Sequence, residues 1–290
     1  MVATSLKQQA RAFHNKKRLG QNFLINPDIL AQIARALSVE PNDHVLEIGP
    51  GLGFLTAVLL GLGAEVVAVE LDEECVKILE DLSLPRLNVI HQDFLQCDLK
   101  SIVKEKTKVI GNVPYQITTP ILVRLLGEIG EPSPWLKSIE TIVLTVQKEV
   151  AERFVAKVGE EEYSQISVLV QYFVKADILF TINAENFYPA PEVTSAVVKL
   201  VPHPEPPVQC GDPKLLRHIV SAGFQQRRKM LKNNLSFLGL SQKQIMDVFA
   251  KLNFDPQVRA ERLGLEQFAL LADELKLAKN SSPDNLALSV

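Results

Sequence analysis

Between His44 and Asn112 four short β-branched runs alternate with segments of helical period, and this alternation restricts the fold more than any other feature of the chain. The runs are "HVLEIG" (44–49), "EVVAVEL" (65–71), "LNVIHQ" (87–92) and "KVIGN" (108–112). Between the early ones lie "FLTAVLLGLG" and "DEECVKILEDL", which read as crossover helices. Strands joined through helices run parallel, and a parallel sheet must be covered on both faces. Three further runs, "TIVLTV" (141–146), "ADILFTI" (176–182) and "SAVVKLV" (195–201), bring the expected count to seven. The last two follow one another without a long crossover, so an antiparallel pair is expected at the sheet edge.

Beyond the sheet, "VPHPEPPVQCGDP" (201–213) bars regular structure and reads as a linker. Four amphipathic helix patterns follow it, including "PKLLRHIVSAGF", "SQKQIMDVFAKL" and "EQFALLADELKL". The expected organisation is a basic N-terminal arm (1–21), an α/β domain (22–205), a small all-α domain (208–278) and a flexible tail (279–290).

With 47% apolar and 22% charged residues in a chain of 290, a packed globular core is expected. No apolar run approaches the roughly 20 residues that span a bilayer, so the reading is a soluble protein with no membrane partner. Cys75, Cys97 and Cys210 are odd in number and far apart, which speaks against a disulfide framework or a CxxC zinc knuckle and for a reducing, cytoplasmic setting. The histidines lack ligand spacing, so no metal is expected. Net charge is −3, yet residues 1–21 carry five Lys or Arg and no acid, and residues 214–232 carry six and no acid. Two basic patches on an otherwise acidic chain suit localised phosphate contacts.

The first strand runs into "EIGPGLGFL", which sets Glu47, Gly49, Gly51 and Gly53 in an E-x-G-x-G-x-G pattern. A dinucleotide fingerprint needs its third glycine where Phe54 stands, and no Gly-Lys-Ser/Thr follows, so neither an NAD site nor a P-loop is expected. Glu70 ends the second strand, the usual place for an acid that accepts from ribose hydroxyls, and Asp93 follows the third, where it could accept from an adenine amine. Taken singly, either acid could merely cap the helix after it. Together they describe a pocket for an adenosyl ligand without pyrophosphate.

Asn112 closes the fourth strand in "VIGNVPYQI" (109–117). Asn and Pro are common turn formers, but here they stand at the lip of the same pocket. An adenine amine is a poor nucleophile because its lone pair is delocalised into the ring. The order of glycine loop and acids resembles the class I methyltransferases, and that resemblance implies a methyl donor in the pocket. If the Asn112 side-chain oxygen and the Pro114 carbonyl accept the two hydrogens of such an amine, the nitrogen becomes more pyramidal and its lone pair points at the methyl group. Tyr115 would stack on the base. Arg227, Arg228 and Lys229 are expected to contact phosphate.

The "NVPY" tetrapeptide resembles the N-x-P-Y signature of adenine amino methyltransferases, and the glycine loop resembles that of the class I S-adenosylmethionine-dependent methyltransferases. With "RLGQNFL" (18–24), "VQKEVAERF" (146–154), "FYPAPEVTSAV" (187–197) and "FQQRRKMLKNNL" (224–235), the chain from Arg18 to Leu275 is similar to the small-subunit ribosomal RNA adenine dimethyltransferases. That resemblance implies a Rossmann-like methyltransferase domain with a helical domain that helps hold RNA, and a monomer acting on the immature small subunit. It implies that Asn22 and Leu24 fold over S-adenosylmethionine, that Gly49, Gly51, Glu70, Asp93 and Asn112 complete the cofactor site, and that Phe187 meets the RNA. The implied reaction is dimethylation of two adjacent adenosines near the RNA's 3′ end. Val113, Ser164 and Met230 stand where the family more often has leucine, glycine and threonine. The rival readings are a large-subunit RNA methyltransferase of the macrolide-resistance type and a non-catalytic assembly or transcription factor on the same fold.

Overall fold

The computed structural model describes residues 5–281. Eleven strands are present among them: β1 (Phe23–Leu24), β2 (His44–Ile48), β3 (Glu65–Glu70), β4 (Leu87–His91), β5 (Thr107–Asn112), β6 (Gly127–Glu128), β7 (Glu131–Pro132), β8 (Ile139–Gln147), β9 (Val174–Ile182), β10 (Phe187–Tyr188) and β11 (Ser195–Pro202). Seven of them form one sheet in the order β4-β3-β2-β5-β8-β11-β9. Neighbours from β4 to β8 are parallel, and β11 turns antiparallel to β8. The seven runs read from the sequence are these seven strands, with β9 and β11 side by side at one edge.

The first helices are α1 (Leu6–Ala12), α2 (Pro27–Ala36), α3 (Phe54–Gly61) and α4 (Glu73–Asp81). Apolar spacing at three and four residues puts Leu30, Ile33 and Ala34 of α2, and Leu55 and Leu59 of α3, into one core with Val45, Val66, Ala68, Ile110 and Val143 of the sheet. Strand residues of opposite parity, such as Leu46, Val109 and Leu144, are buried as well. Period-2 alternation sends them to the other face, as a sheet covered on both sides requires.

Contacts divide the chain into two compact units, Met1–Leu126 with Ser133–Glu152 and Lys175–Pro202, and Gly127–Pro132 with Arg153–Val174 and His203–Val290. The second unit thus takes in two segments, 127–132 and 153–174, that lie within the expected α/β domain of residues 22–205. The β6–β7 ribbon belongs there because Arg217 pairs with Glu128 and Glu131, and Lys214 lies 2.7 Å from Glu131. The segment before β9 belongs there because Tyr163 is buried, packs edge-on against Phe224 and donates to the Leu263 carbonyl at 3.1 Å. Beyond residue 208 the described residues hold three α-helices rather than four, Pro213–Gln225, Gln242–Lys251 and Leu265–Asn280. Between the first two the chain forms short 3₁₀ turns around Asn233 and Asn234, poor helix formers, up to the left-handed Gly239. The last helix runs two residues past the expected boundary at 278, and residues 282–290 of the expected tail lie outside the described residues.

Candidate functional site

The carboxyl ends of β2, β3, β4 and β5 border a cavity of about 260 Å³ in the first unit. Asn22, Leu24, Gly49, Gly51, Glu70, Asp93, Asn112, Pro114 and Tyr115 all line it, so the first unit brings these sequence-derived site residues together. Ligands of open parallel sheets bind at this edge, because strand ends and the loops after them converge there.

Gly49, Gly51 and Gly53 take φ values of 65°, 56° and 78°, the left-handed region that costs a side chain energy. A Cβ on Gly51 would lie 2.7 Å from the Phe23 ring, so the loop is pressed directly against β1. A Cβ on Gly49 would meet nothing within 4 Å. Backbone bordered by open cavity at Gly49 is a cradle that a ligand can approach closely.

Two buried carboxylates hold the ends of this loop. Glu70 Oε2 accepts from Gly51 N at 2.9 Å, and Oε1 accepts from Leu71 N and Asp72 N, each at 2.8 Å. Three of its four acceptor directions are therefore occupied by main chain. Burial pushes the Glu70 carboxyl up despite these bonds. Glu47 is fully enclosed, and its Oε2 accepts from the Thr56 hydroxyl in α3 at 2.7 Å. Burial pushes Glu47 up to about 7, Thr56 opposes this and the Glu70 charge adds to it.

A carboxyl that keeps its proton longer in the folded chain stabilises the fold below its unfolded pKa, and that contribution is lost as pH rises through its folded pKa. The Glu47 window runs from 4.5 to about 7 and is worth roughly 3 kcal/mol. Urea unfolding at about pH 5 and about pH 8 is expected to show this loss in the wild type and a flatter profile in Glu47→Gln. Equal slopes in the two proteins would contradict the assignment.

Asp93 closes its own turn, with Oδ1 accepting from Leu95 N at 2.9 Å and Oδ2 from the Gln96 side chain at 3.3 Å. It thus holds a turn together, with no helix directly after it to cap, and is also a wall of the cavity. The Asn112 Nδ2 donates to the Asn22 carbonyl at 2.8 Å, and Oδ1 accepts from no described residue. That bond orients the amide and leaves its oxygen as the available acceptor. The Pro114 carbonyl, expected to be the second acceptor, already accepts from Ile117 N at 3.1 Å, where a 3₁₀ turn starts. The Val113 carbonyl accepts from no described residue, and Val113 lines the same cavity. The Tyr115 hydroxyl is 2.5 Å from Oγ of the buried Ser195, which fixes the ring from its far end. Burial raises the Tyr115 pKa.

The end of the N-terminal arm and β1 supply the remaining wall, through Arg18 to Leu24. Lys16 pairs with Asp72 and Glu74 instead of facing outward. The roles of Asp72, Ser195 and Thr56 had no signal in the sequence, since each depends on a partner brought up by the fold.

Phe187 does not fit the role expected for it. It is 2% exposed, pairs with Leu24 in the β1–β10 ladder and belongs to the core, so no base can stack on it. Arg227 is exposed, but its Nη2 donates to the carbonyls of Glu161 and Tyr163 at 2.7 and 3.0 Å, which commits that nitrogen to tying a loop. Arg228 and Lys229 are exposed. Among the described residues no group of three or more His, Cys, Asp or Glu is placed to hold a metal, and no helix is long and apolar enough to cross a membrane.

The family model described as ribosomal RNA adenine dimethylase matches residues 12–277. The "Ribosomal RNA small subunit methyltransferase A" of Lysinibacillus sphaericus is 39% identical over 290 residues, covering 94% of this chain and 97% of that protein. Its counterpart in Acaryochloris marina is 40% identical over 265 residues, covering 90% and 97%. Among solved structures, a dimethyladenosine transferase from Plasmodium falciparum matches with a TM-score of 0.73 at 26% identity, over 87% of this chain and 97% of that one. The 23S rRNA methyltransferase ErmE matches with a TM-score of 0.66 at 25% identity, over 88% and 100%.

Proposed function

Because the chain belongs to the ribosomal RNA adenine dimethylase family, we propose that it dimethylates the N6 amines of two adjacent adenosines in the 3′-terminal hairpin of small-subunit ribosomal RNA, using S-adenosylmethionine. The observation that carries this reading is Asn112: its amide is held by the Asn22 carbonyl, so that Oδ1 is the available acceptor beside Tyr115.

The cavity suits the cofactor. Open space at Gly49 admits a ligand against the main chain, Glu70 keeps one acceptor direction for a ribose hydroxyl, and Asp93 can accept from an adenine amine. Asn22 and Leu24 cover it from the end of the arm and β1. When bound, S-adenosylmethionine supplies a methyl group on a positively charged sulfur. Asn112 Oδ1 accepts one hydrogen of the target amine, and the Val113 carbonyl or the second lone pair of Pro114 accepts the other. The Tyr115 ring, tethered to Ser195, packs on the base. The methylated amine would release one proton to water, so no side chain need act as a strong base; positioning and electrostatics carry the step.

The protein works as a monomer in the cytoplasm on the immature small subunit, and methylation serves as a late step or checkpoint in its assembly. Arg228 and Lys229 supply phosphate contacts. Replacing both with Ala is expected to flatten the salt dependence of RNA binding by about 1.4 in log–log slope, at roughly 0.7 for each contact on single-stranded RNA. Arg227→Ala is expected mainly to lower thermal stability, because it releases the two loop carbonyls. An unchanged slope in the double variant would remove the assignment.

The deciding experiment is transfer of labelled methyl groups to unmethylated small subunits, with large subunits as control, followed by mapping of the modified bases. Dimethyladenosine at two adjacent small-subunit positions is the expected result. Label on large-subunit RNA would favour the activity named for ErmE, and RNA binding without label would favour an assembly factor.

A further inference from the structure

Resting on that functional reading, we propose that Asp72 is a positioning residue for the cofactor, tying the N-terminal arm to the glycine loop so that the two close the cavity together. Asp72 is 1% exposed and stands two residues after Glu70, at the cap of α4. Its Oδ1 accepts from Glu74 N at 3.1 Å and from Lys16 Nζ at 2.5 Å, and its Oδ2 accepts from Gln21 Nε2 at 2.7 Å. Gln21 returns to the arm, its Oε1 accepting from Lys16 N at 2.8 Å. On the other side, Asp72 N donates to Glu70 Oε1, and Glu70 Oε2 accepts from Gly51 N. A continuous hydrogen-bonded path therefore joins Lys16 and Gln21 to the glycine loop through two adjacent carboxylates.

Helix capping alone does not account for Asp72. A cap uses one oxygen, and Asn or Ser supplies that oxygen without charge. Enclosing a full negative charge is costly unless it is paired and hydrogen-bonded. Here the pairing groups both come from the arm. Burial pushes the Asp72 carboxyl up, and the bonds from Lys16, Gln21 and Glu74 outweigh it and hold the group below its ordinary range. The residues that follow Lys16, from Arg18 to Leu24, form the cavity wall. Toward its far end this segment is anchored by the Asn22 carbonyl on Asn112 and by the pairing of β1 with β10. Releasing the Asp72 end should free the cover over the cofactor while leaving the methyl-accepting side in place.

The test measures the Kd for S-adenosylhomocysteine, the RNA affinity, the split between kcat and KM, and hydrogen exchange over residues 14–24, in Asp72→Asn and Lys16→Met. Asp72→Asn keeps the capping oxygen, and Lys16→Met leaves the cap untouched, so it carries the test if the first variant folds poorly. The expected result for either is about tenfold weaker binding of S-adenosylhomocysteine, as for the loss of one charged hydrogen bond. KM for S-adenosylmethionine should rise in step, with kcat at saturation and RNA affinity unchanged and exchange in the arm faster. The double variant should lose little more than either single one, because both cut the same link. Wild-type cofactor affinity and arm protection in both variants, with only thermal stability reduced in Asp72→Asn, would reduce Asp72 to a helix cap and overturn the proposal. A wild-type protein that binds S-adenosylhomocysteine but modifies no RNA would instead refute the functional reading.

Discussion

Alanine at Asn112 is expected to lower the rate of methyl transfer at saturating RNA and cofactor by about 10²–10³-fold, the usual cost of removing one group aimed at the reacting centre. The side chain does two things at once. On the proposed function its Oδ1 accepts from the target amine, while its Nδ2 holds the Asn22 carbonyl and with it the arm. The first role should appear in kcat, because it is realised only as the amine turns pyramidal. The second should appear as a smaller rise in KM for the cofactor. RNA affinity should stay close to wild type, since phosphate contacts dominate it. Single-turnover methylation and a separate RNA titration distinguish these terms. A loss in kcat of less than about tenfold would mean that Asn112 does not handle the amine. Asn112→Asp keeps an oxygen but sets an acceptor against the Asn22 carbonyl, so it is expected to loosen the arm as well.

Glutamine at Glu70 is expected to weaken cofactor binding by about 10–100-fold while changing thermal stability much less. Its carbonyl can still accept from Leu71 N and Asp72 N, but its NH₂ then faces the Gly51 N–H. Two donors face to face leave Gly51 unsatisfied, at about 1–3 kcal/mol. That penalty falls on the loop that borders the cavity. Global stability is partly protected because burial disfavours the wild-type charge, raising the Glu70 pKa, and a neutral glutamine relieves that cost. Calorimetric titration with S-adenosylhomocysteine and a thermal melt on the same variant separate the two effects. Wild-type affinity in Glu70→Gln would show that the carboxylate does not shape the loop.

The sequence by itself determined the seven strands, the glycine turn after the first, the acid at the end of the second and the Asn-Val-Pro-Tyr segment at the end of the fourth. These are local properties: side-chain period, β-branching and turn chemistry act within a few residues and can be read along the chain. Their convergence on one cavity also followed, because a parallel sheet gathers its carboxyl ends at one edge.

What the sequence alone did not determine is the partner each polar atom takes. Glu70 spends most of its acceptors on main chain, Asn112 is oriented by a carbonyl 90 positions away and Tyr115 is tethered to Ser195 80 positions away. Phe187 looks like a surface aromatic until β10 pairs with β1 and buries it, and Arg227 looks free until the carbonyls of Glu161 and Tyr163 arrive beside it. The segments 127–132 and 153–174 join the C-terminal helices through ion pairs and aromatic packing that residue order does not reveal. Hydrogen bonds and burial at such separations are fixed by which strands and helices become neighbours, so only the tertiary structure could decide them.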